Sequence, residues 1–330
     1  MRVVSKDRGE PSSSASEPTQ STRVYARMWN LRIDAATAQL ICALERSGVA
    51  SIVLKGPSLD GWYPRDSART YLDGDVLVAP DNVRAAGRVL ASLGYRKAAD
   101  QRGLPAWWTG HAGGWERDRD GVAIDLHMRL QGVELEPDAA WTRLWADRVP
   151  FTLASQPANK LSDPAQVLYA TLHATHHGVG NPRGLRNLHA ALDAVDEVGW
   201  GAALELAREL DALAAFGTGL RLTAAGAVMA ERIGAPLVRS AKTELFASTP
   251  PPVALGFEQL AAARGPQRIE ILLRKLLPPP SFIRHWWPPA ARSRRMLMAG
   301  YLYRPVWLLQ RAPTGYRAWR SARRRANNSS

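Results

Sequence analysis

The stretch from Ile52 to Val78 constrains the fold of this chain more than any other part of the sequence. Ile52 to Leu54 are apolar and predict a short buried strand. Tyr71 to Val78 predict a second strand, and a Lys55-Gly56 turn followed by a polar connection joins the two. This order of strand, loop and strand indicates a β-sheet domain.

The second predicted strand carries two acids, Asp73 and Asp75. Side chains two residues apart on a strand point to the same face, so both carboxylates can face one cation. Like charges at close range repel each other, and a hard cation such as Mg²⁺, which prefers oxygen ligands, relieves the repulsion. The alternative interpretation is a solvated turn, because Asp-Gly is also a common hairpin signal.

A third acid strengthens the prediction of a metal site. Gly121 to His127 predict another apolar strand with Asp125 in its middle, where a charged side chain needs a partner. Alternation places Asp125 and His127 on one face, towards Asp73 and Asp75. Three carboxylates on neighbouring strands suit phosphoryl or nucleotidyl transfer with two metal ions. His127 would orient a carboxylate, contact the acceptor, or simply fill a sheet edge as a neutral side chain.

These residues, in this order, resemble a known protein family. The matching motifs are Leu54-Lys55-Gly56, Tyr63-Pro64, Arg69, Asp73-Gly74-Asp75-Val76-Leu77-Val78 and Ile124-Asp125-Leu126-His127. They resemble the uncharacterised nucleotidyltransferase-like family of the polymerase-β-type nucleotidyltransferase superfamily. The resemblance implies a small mixed sheet, binding of an NTP and of Mg²⁺ or Mn²⁺, and transfer of a nucleoside monophosphate to an acceptor hydroxyl or phosphate. Asp73, Asp75 and Asp125 would be the catalytic metal ligands, with Asp125 helping to activate the acceptor.

The chain departs from the superfamily pattern at two places. Lys55-Gly56-Pro57-Ser58 stands where a glycine-serine pair is usual, and Gly74 separates the paired acids where an apolar residue is usual. Glycine weakens a strand interior, so we expect Gly74 to loosen the second strand and alter the metal geometry.

Four residues near the first strand are candidates for nucleotide binding: Lys55, Gly56, Ser58 and Arg69. A glycine turn lets backbone N–H groups approach a phosphate, Lys55 adds a positive charge, and Arg69 can bind phosphate oxygens in a bidentate manner. Arg69 would otherwise neutralise Asp66 or Asp73 structurally. Ser58 would contact phosphate or start a helix.

Three histidines lie close together on a predicted helix from Ala165 to Gly178, which Asp163 is expected to cap. His173, His176 and His177 have a spacing that can bind a transition metal, but the same turn holds neither an acid nor a cysteine. We therefore expect His173 or His176 to line the cleft and act as a base for the acceptor hydroxyl.

Further elements complete an α+β pattern. Helices are predicted from Asn30 to Ser47 and from Asp81 to Leu93, with Asp81 as the N-cap. Trp115 to Arg119 and Gly121 to His127 predict a hairpin, and Arg148 to Leu153 predict a further strand. The expected fold is a small mixed-sheet nucleotidyltransferase core with flanking helices, followed by a helical domain and a basic C-terminal tail.

Composition divides the chain into four predicted parts. Residues 1–22 are expected to be disordered, 23–155 to form the nucleotidyltransferase-like domain, 156–247 a helical substrate domain, and 248–330 a helical region punctuated by prolines. The single cysteine excludes an internal disulfide framework. The sequence shows neither a signal peptide pattern nor an apolar run long enough to cross a bilayer, so we expect a cytoplasmic protein, at most peripheral to a membrane.

The positive charge is concentrated at the C-terminal end. Residues 281–330 contain eleven arginines, no lysine and no acid, and so supply eleven of the thirteen net positive charges. Arginine mixed with tryptophan and tyrosine suits nucleic acid, an anionic membrane surface or an acidic acceptor. A solvated basic helix that packs through its aromatic residues is the simpler alternative.

Two other functions remain compatible with the sequence: a nucleotide-sensing module without turnover, and an adaptor that binds an acidic partner through the arginine-rich tail. The acceptor, whether a small molecule, a glycan or a peptide, is left open, as is a role in polysaccharide assembly or peptide modification.

Overall fold

The structure is a computed structural model that describes residues 20–64, 69–98, 112–248, 250–251 and 253–327. It has the α+β architecture predicted from the sequence, built on a mixed seven-stranded sheet. The strands are β1 (Ser51–Val53), β2 (Asp73–Val78), β3 (Tyr95–Lys97), β4 (Ala112–Arg117), β5 (Val122–His127), β6 (Val149–Leu153) and β7 (Gln156–Lys160). Their order in the sheet is β3-β4-β5-β2-β1-β7-β6.

Parallel and antiparallel pairs alternate near the centre of the sheet. β1 is antiparallel to β2 and parallel to β7, while β2 is parallel to β5. The predicted hairpin is β4–β5, although its strands end at Arg117 and begin at Val122. The prediction that β2 begins at Tyr71 is wrong, because the Tyr71 backbone N–H donates to Asn30 Oδ1 and the strand begins at Asp73.

Two strands were not predicted from the sequence. β3 has only three residues, and only Tyr95 among them is buried. β7 is polar and contains Pro157, so it lacks the alternation that marks a strand. The predicted division between residues 155 and 156 falls in the turn between the paired strands β6 and β7, and the sheet continues to Lys160.

One face of the sheet is covered by α1 (Gln20–Arg46) and α2 (Val83–Ser92). Side chains such as Val53, Val76 and Ile124 share a core with these helices. The expectation of disorder through residue 22 is wrong for its last three residues, which are helical; residues 1–19 lie outside the described part of the chain. Asp81 lies in a 3-10 turn and does not cap α2, whose N-cap residue is Asn82.

At Gly74, α1 packs closely on the sheet. A Cβ atom at this position would lie 2.3 Å from Thr37 Oγ1 and 2.8 Å from Ile124 Cδ1. β2 runs through Gly74 without interruption, and the residue is buried. The glycine therefore makes room for helix packing, and its effect on the metal geometry stays a prediction.

The other face carries Ile52, Leu54 and Leu77, which pack in a core formed largely by helices. The helices that build this layer are α3 (Pro137–Ala146), α4 (Asp163–His177), α5 (Pro182–Ala194), α6 (Glu197–Glu209), α7 (Leu213–Leu220) and α8 (Ala224–Arg232). Asp163 is the first residue of α4 and not its cap: Ser162 is the N-cap residue, and Gly178, with a positive φ, ends the helix.

The C-terminal region is helical and forms two small cores of its own. No helix in the described part of the chain combines the length and apolarity that crossing a membrane would require. The helices of the C-terminal region are α9 (Ala241–Ala247), α10 (Ala254–Ala262), α11 (Pro266–Leu276), α12 (Pro280–Trp286) and α13 (Arg294–Asn327).

Candidate active site

The acid-bearing strands β2 and β5 are neighbours, as the sequence predicted. Their parallel register sets Asp75 directly opposite Asp125 and sets Asp73 opposite Ala123. One ligand atom from each of Asp75, Asp125 and His127 lies within 4.8 Å of the others. Among the described residues, the third member of this compact group is His127, whereas the sequence predicts Asp73. Asp73 lies two residues before Asp75 on β2.

Asp75 is buried and has two partners at one oxygen atom. Its Oδ1 lies 3.0 Å from Lys55 Nζ and 2.9 Å from His127 Nε2. Burial by itself would raise the pKa of Asp75, but the Lys55 ammonium and the His127 hydrogen bond lower it below its ordinary value. Asp75 is therefore ionised, and His127 orients its carboxylate.

Lys55 lies two residues after the end of β1, and its side chain reaches Asp75 on β2. Burial alone would lower the pKa of Lys55, yet Asp75 outweighs that effect and raises it. Because both partners keep their charges, the pair is ionic inside the protein. The ammonium also lies 5.7 Å from the centroid of the Tyr169 ring, which α4 places over the cluster.

His173, one turn after Tyr169 on α4, completes the surroundings of Lys55. Its Nε2 lies 3.3 Å from Lys55 Nζ. Burial, followed by the nearby Lys55 charge, holds the pKa of His173 well below its usual value. An ammonium group can only donate, so the neutral ring accepts at Nε2 and carries its proton on Nδ1.

The other two histidines of α4 lie beside the helical layer. The ring of His176 packs against Phe246, with 4.7 Å between centroids, and burial lowers its pKa to about 4. His177 packs on His173 at 4.3 Å and contacts Asn181. In the described part of the chain, the compact group of potential metal ligands contains none of these three histidines.

The four predicted nucleotide-binding residues lie in one loop, which includes a 3-10 helix from Gly56 to Trp62. Gly56 has a φ of +66°, and the Tyr71 ring packs on it. Arg69 Nη1 donates to the Gly56 carbonyl oxygen at 3.0 Å and to Asp60 Oδ1 at 3.1 Å. Ser58 Oγ donates to the Lys55 carbonyl oxygen at 3.3 Å, so Ser58 and Arg69 both hold the loop in shape.

Several supporting residues were not found from the sequence. Asp60 is the ion-pair partner of Arg69, where the sequence analysis named Asp66 or Asp73; Asp66 lies outside the described residues. Tyr169 stands four residues before His173, so the two share one face of the helix, but no sequence signal connects this face with Lys55. The Tyr71 hydroxyl donates to Asp34 Oδ1 at 2.6 Å, which connects the loop to α1.

A pocket of about 450 Å³ opens beside this loop. Ser58 belongs to its wall, while Asp73, Asp75 and Asp125 do not. The other wall residues include Gly61, Trp62, Lys160, Asp163, Gln166 and Asp196.

Comparison with known proteins places the site in a family. The family model described as uncharacterised nucleotidyltransferase matches residues 4–226, about two thirds of the chain. The chain belongs to the uncharacterised nucleotidyltransferase family. The matched residues include both acid-bearing strands, the loop from Lys55 to Arg69, and α4.

Two solved structures are distantly similar to this family member. One is the lincosamide antibiotic adenylyltransferase LnuA bound to lincomycin, at 12% identity and a TM-score of 0.33, covering 54% of this chain and 98% of that one. The other is an antigenic nucleotidyltransferase-like protein from Paracoccidioides brasiliensis, at 12% identity and a TM-score of 0.35, covering 66% of this chain and 97% of that one. No curated protein matches the chain.

Proposed function

We propose that this protein transfers a nucleoside monophosphate from an NTP to an acceptor hydroxyl or phosphate, with the help of a divalent cation. The observation that carries the proposal is the pairing of Asp75 with Asp125 across two parallel strands. Lys55 lies in the loop that would face the triphosphate, and its ammonium forms an ion pair with Asp75. Membership of the nucleotidyltransferase family supports the same reaction class.

The donor set suits Mg²⁺ or Mn²⁺. Asp75 and Asp125 offer carboxylate oxygens close together, and Asp73 is on the same strand face as Asp75. When bound, the cation would neutralise phosphate charge and stabilise the attacking and leaving oxygens. His127, through its hydrogen bond to Asp75, would fix the orientation of one of the carboxylates.

Lys55 and Arg69 have different tasks in this proposal. An ammonium has three N–H donors, and Asp75 and His173 each take up one of those on Lys55, so one donor is left for a phosphate oxygen. Arg69 holds Gly56 by its carbonyl oxygen and thereby fixes the turn against which the triphosphate would lie.

Asp125 is the residue we assign to accept the proton of the acceptor hydroxyl. His173 is the competing base, but its Nε2 already accepts from Lys55 and its Nδ1 carries the proton. A ring in that state has no lone pair free for a second proton. His173 is therefore proposed to hold Lys55 in place.

Calorimetric titration with each NTP, with and without Mg²⁺, tests the proposal. Asp125→Asn and the double variant Asp73→Asn/Asp75→Asn are expected to weaken Mg²⁺-dependent binding about tenfold or more, since each removes a carboxylate ligand. Glu205→Gln, which changes an exposed acid paired with Arg208, is the matched control and should bind as the wild type does. Equal binding by the wild type and the folded acid variants would rule out this metal site.

A nucleotide-sensing module without turnover is a second candidate. The observation in its favour is that the Lys55 ammonium already neutralises Asp75. Pyrophosphate release in the presence of an acceptor library separates the two candidates, because only the transferase releases it. Tight Mg²⁺-dependent binding without any pyrophosphate would favour the sensor.

A further inference from the structure

The last helix, α13, exposes an apolar stripe on the side that faces away from the protein. Met298, Leu302, Val306 and Leu309 follow one another at spacings of three and four residues, which places them on one helix face. Leu302 is 75% exposed and Leu309 is 73% exposed. The packed side of the same helix carries the buried residues Gly300, Arg304, Gly315 and Ala322.

Arginines flank this stripe at both ends. Arg295 precedes Met298 by three residues, and beyond Leu309 the exposed residues Tyr316 and Arg320 continue the same face. Residues 281–330 contain no acid, and nine of their eleven arginines are exposed in the structure. The two exceptions are Arg304, which is buried, and Arg325, which donates to Glu244.

The neighbouring helix α11 also exposes large aliphatic side chains. None of its residues is buried, and it exposes Ile269, Leu272, Leu273 and Leu276. Its one acid, Glu270, pairs with Arg274 on the same helix. Two hydrogen bonds tie the end of this segment to α13: Arg304 Nε donates to the Lys275 carbonyl oxygen and Tyr301 Oη to the Pro278 carbonyl oxygen, each at 2.7 Å.

We propose that this surface, made of the stripe on α13 and its flanking arginines, docks on an anionic lipid bilayer. Burial of large aliphatic side chains at the boundary of the acyl chains lowers the free energy, while arginines bind lipid phosphates. A single-stranded nucleic acid would use the arginines and aromatic rings but would leave Leu302 and Leu309 in water. A second copy of the chain would bring its own arginines to the same face, and their like charges would repel. The bilayer matches both the apolar and the charged residues.

Sedimentation with lipid vesicles tests this surface. The 330-residue chain is expected to bind vesicles of phosphatidylcholine mixed with phosphatidylglycerol, and to bind phosphatidylcholine alone far more weakly. Leu302→Glu/Leu309→Glu should lower the partition coefficient about tenfold or more, because two side chains that insert are replaced by anions. Arg295→Gln/Arg320→Gln should lower binding to the anionic vesicles only.

Two controls keep the result specific. Val179→Glu/Val198→Glu adds the same charge at exposed sites outside α13 and should bind vesicles nearly as the wild type does. Circular dichroism should show all variants folded, since every substituted side chain is exposed.

Three results would overturn the proposal. The first is equal binding to neutral and anionic vesicles, and the second is unchanged binding by the leucine variant. The third is a wild-type protein that does not bind the vesicles. Such a protein would instead form a dimer that the leucine substitutions dissociate, or a complex with an oligonucleotide.

Discussion

Lys55 and Asp75 form an ion pair between the end of β1 and the middle of β2, with 3.0 Å between Nζ and Oδ1. The Asp75 side chain is 4% exposed and that of Lys55 is 18% exposed, so water screens the pair weakly. The pair therefore has consequences for stability as well as for chemistry.

Removing the lysine is expected to destabilise the fold strongly. Lys55→Met leaves a buried aspartate without its ammonium partner, and the loss should be about 3 kcal/mol in the free energy of unfolding. Urea denaturation measures it. Lys55→Met/Asp75→Asn should recover part of the loss, because the double variant has no orphan charge. A single variant as stable as the wild type would show that the pair contributes nothing.

Gly74→Ala is expected to cost about 1–3 kcal/mol, since the new methyl group would overlap Thr37 and Ile124. The matched control is Gly201→Ala, which has open space around its Cβ position and a helical backbone. That change should leave stability unchanged or raise it by about 0.5–1 kcal/mol. Similar denaturation midpoints for the two variants would contradict the packing role of Gly74.

Asp34 should make stability fall as the pH rises. Burial raises its pKa from about 3.8 to about 6, although the Tyr71 hydrogen bond opposes the shift. Between these values the folded protein binds a proton that the unfolded chain releases, so the cost of the buried charge grows with pH and is complete above pH 6.

Asp34→Asn should therefore be more stable than the wild type at pH 7, by about 1–2 kcal/mol after allowance for solvent screening, and equally stable near pH 4. Urea denaturation at a series of pH values measures the difference. A constant difference across the series would count against the raised pKa.

The histidines of α4 should have the opposite effect to Asp34: they should make stability fall as the pH falls. Burial lowers the pKa of His176 to about 4, so below pH 6.5 the unfolded chain binds a proton that the folded protein does not. Stability should therefore fall on acidification through this window, by about 2–3 kcal/mol for His176 at pH 4.

His176→Gln should reduce the slope of stability against pH between 6.5 and 4. The wild-type protein is the reference for this slope. An unchanged slope in His176→Gln would contradict the lowered pKa of His176.

The strands β2 and β5 and their acids were predictable because each of these two strands carries its own local signal. Apolar runs that contain Asp75 and Asp125 identify β2 and β5, and a charged residue inside an apolar strand indicates that it has a partner. β7 had no such signal, because it is polar and is held in the sheet by its neighbours.

The surroundings of the acids depend on tertiary contacts. Sequence spacing cannot show that Tyr169 and His173 lie over Lys55, since this depends on how α4 docks on the sheet. The packing role of Gly74 also depends on a tertiary contact, since Thr37 on α1 lies where a Cβ atom would need space.

The sheet order has a consequence for how the protein can be divided. β1 lies between β2 and β7, so a fragment that stops at residue 155 would remove one neighbour of β1 and leave its backbone groups unpaired. Such an open edge invites pairing between chains and aggregation. A fragment meant to isolate the sheet must therefore run through Lys160 and include α4, which covers its second face.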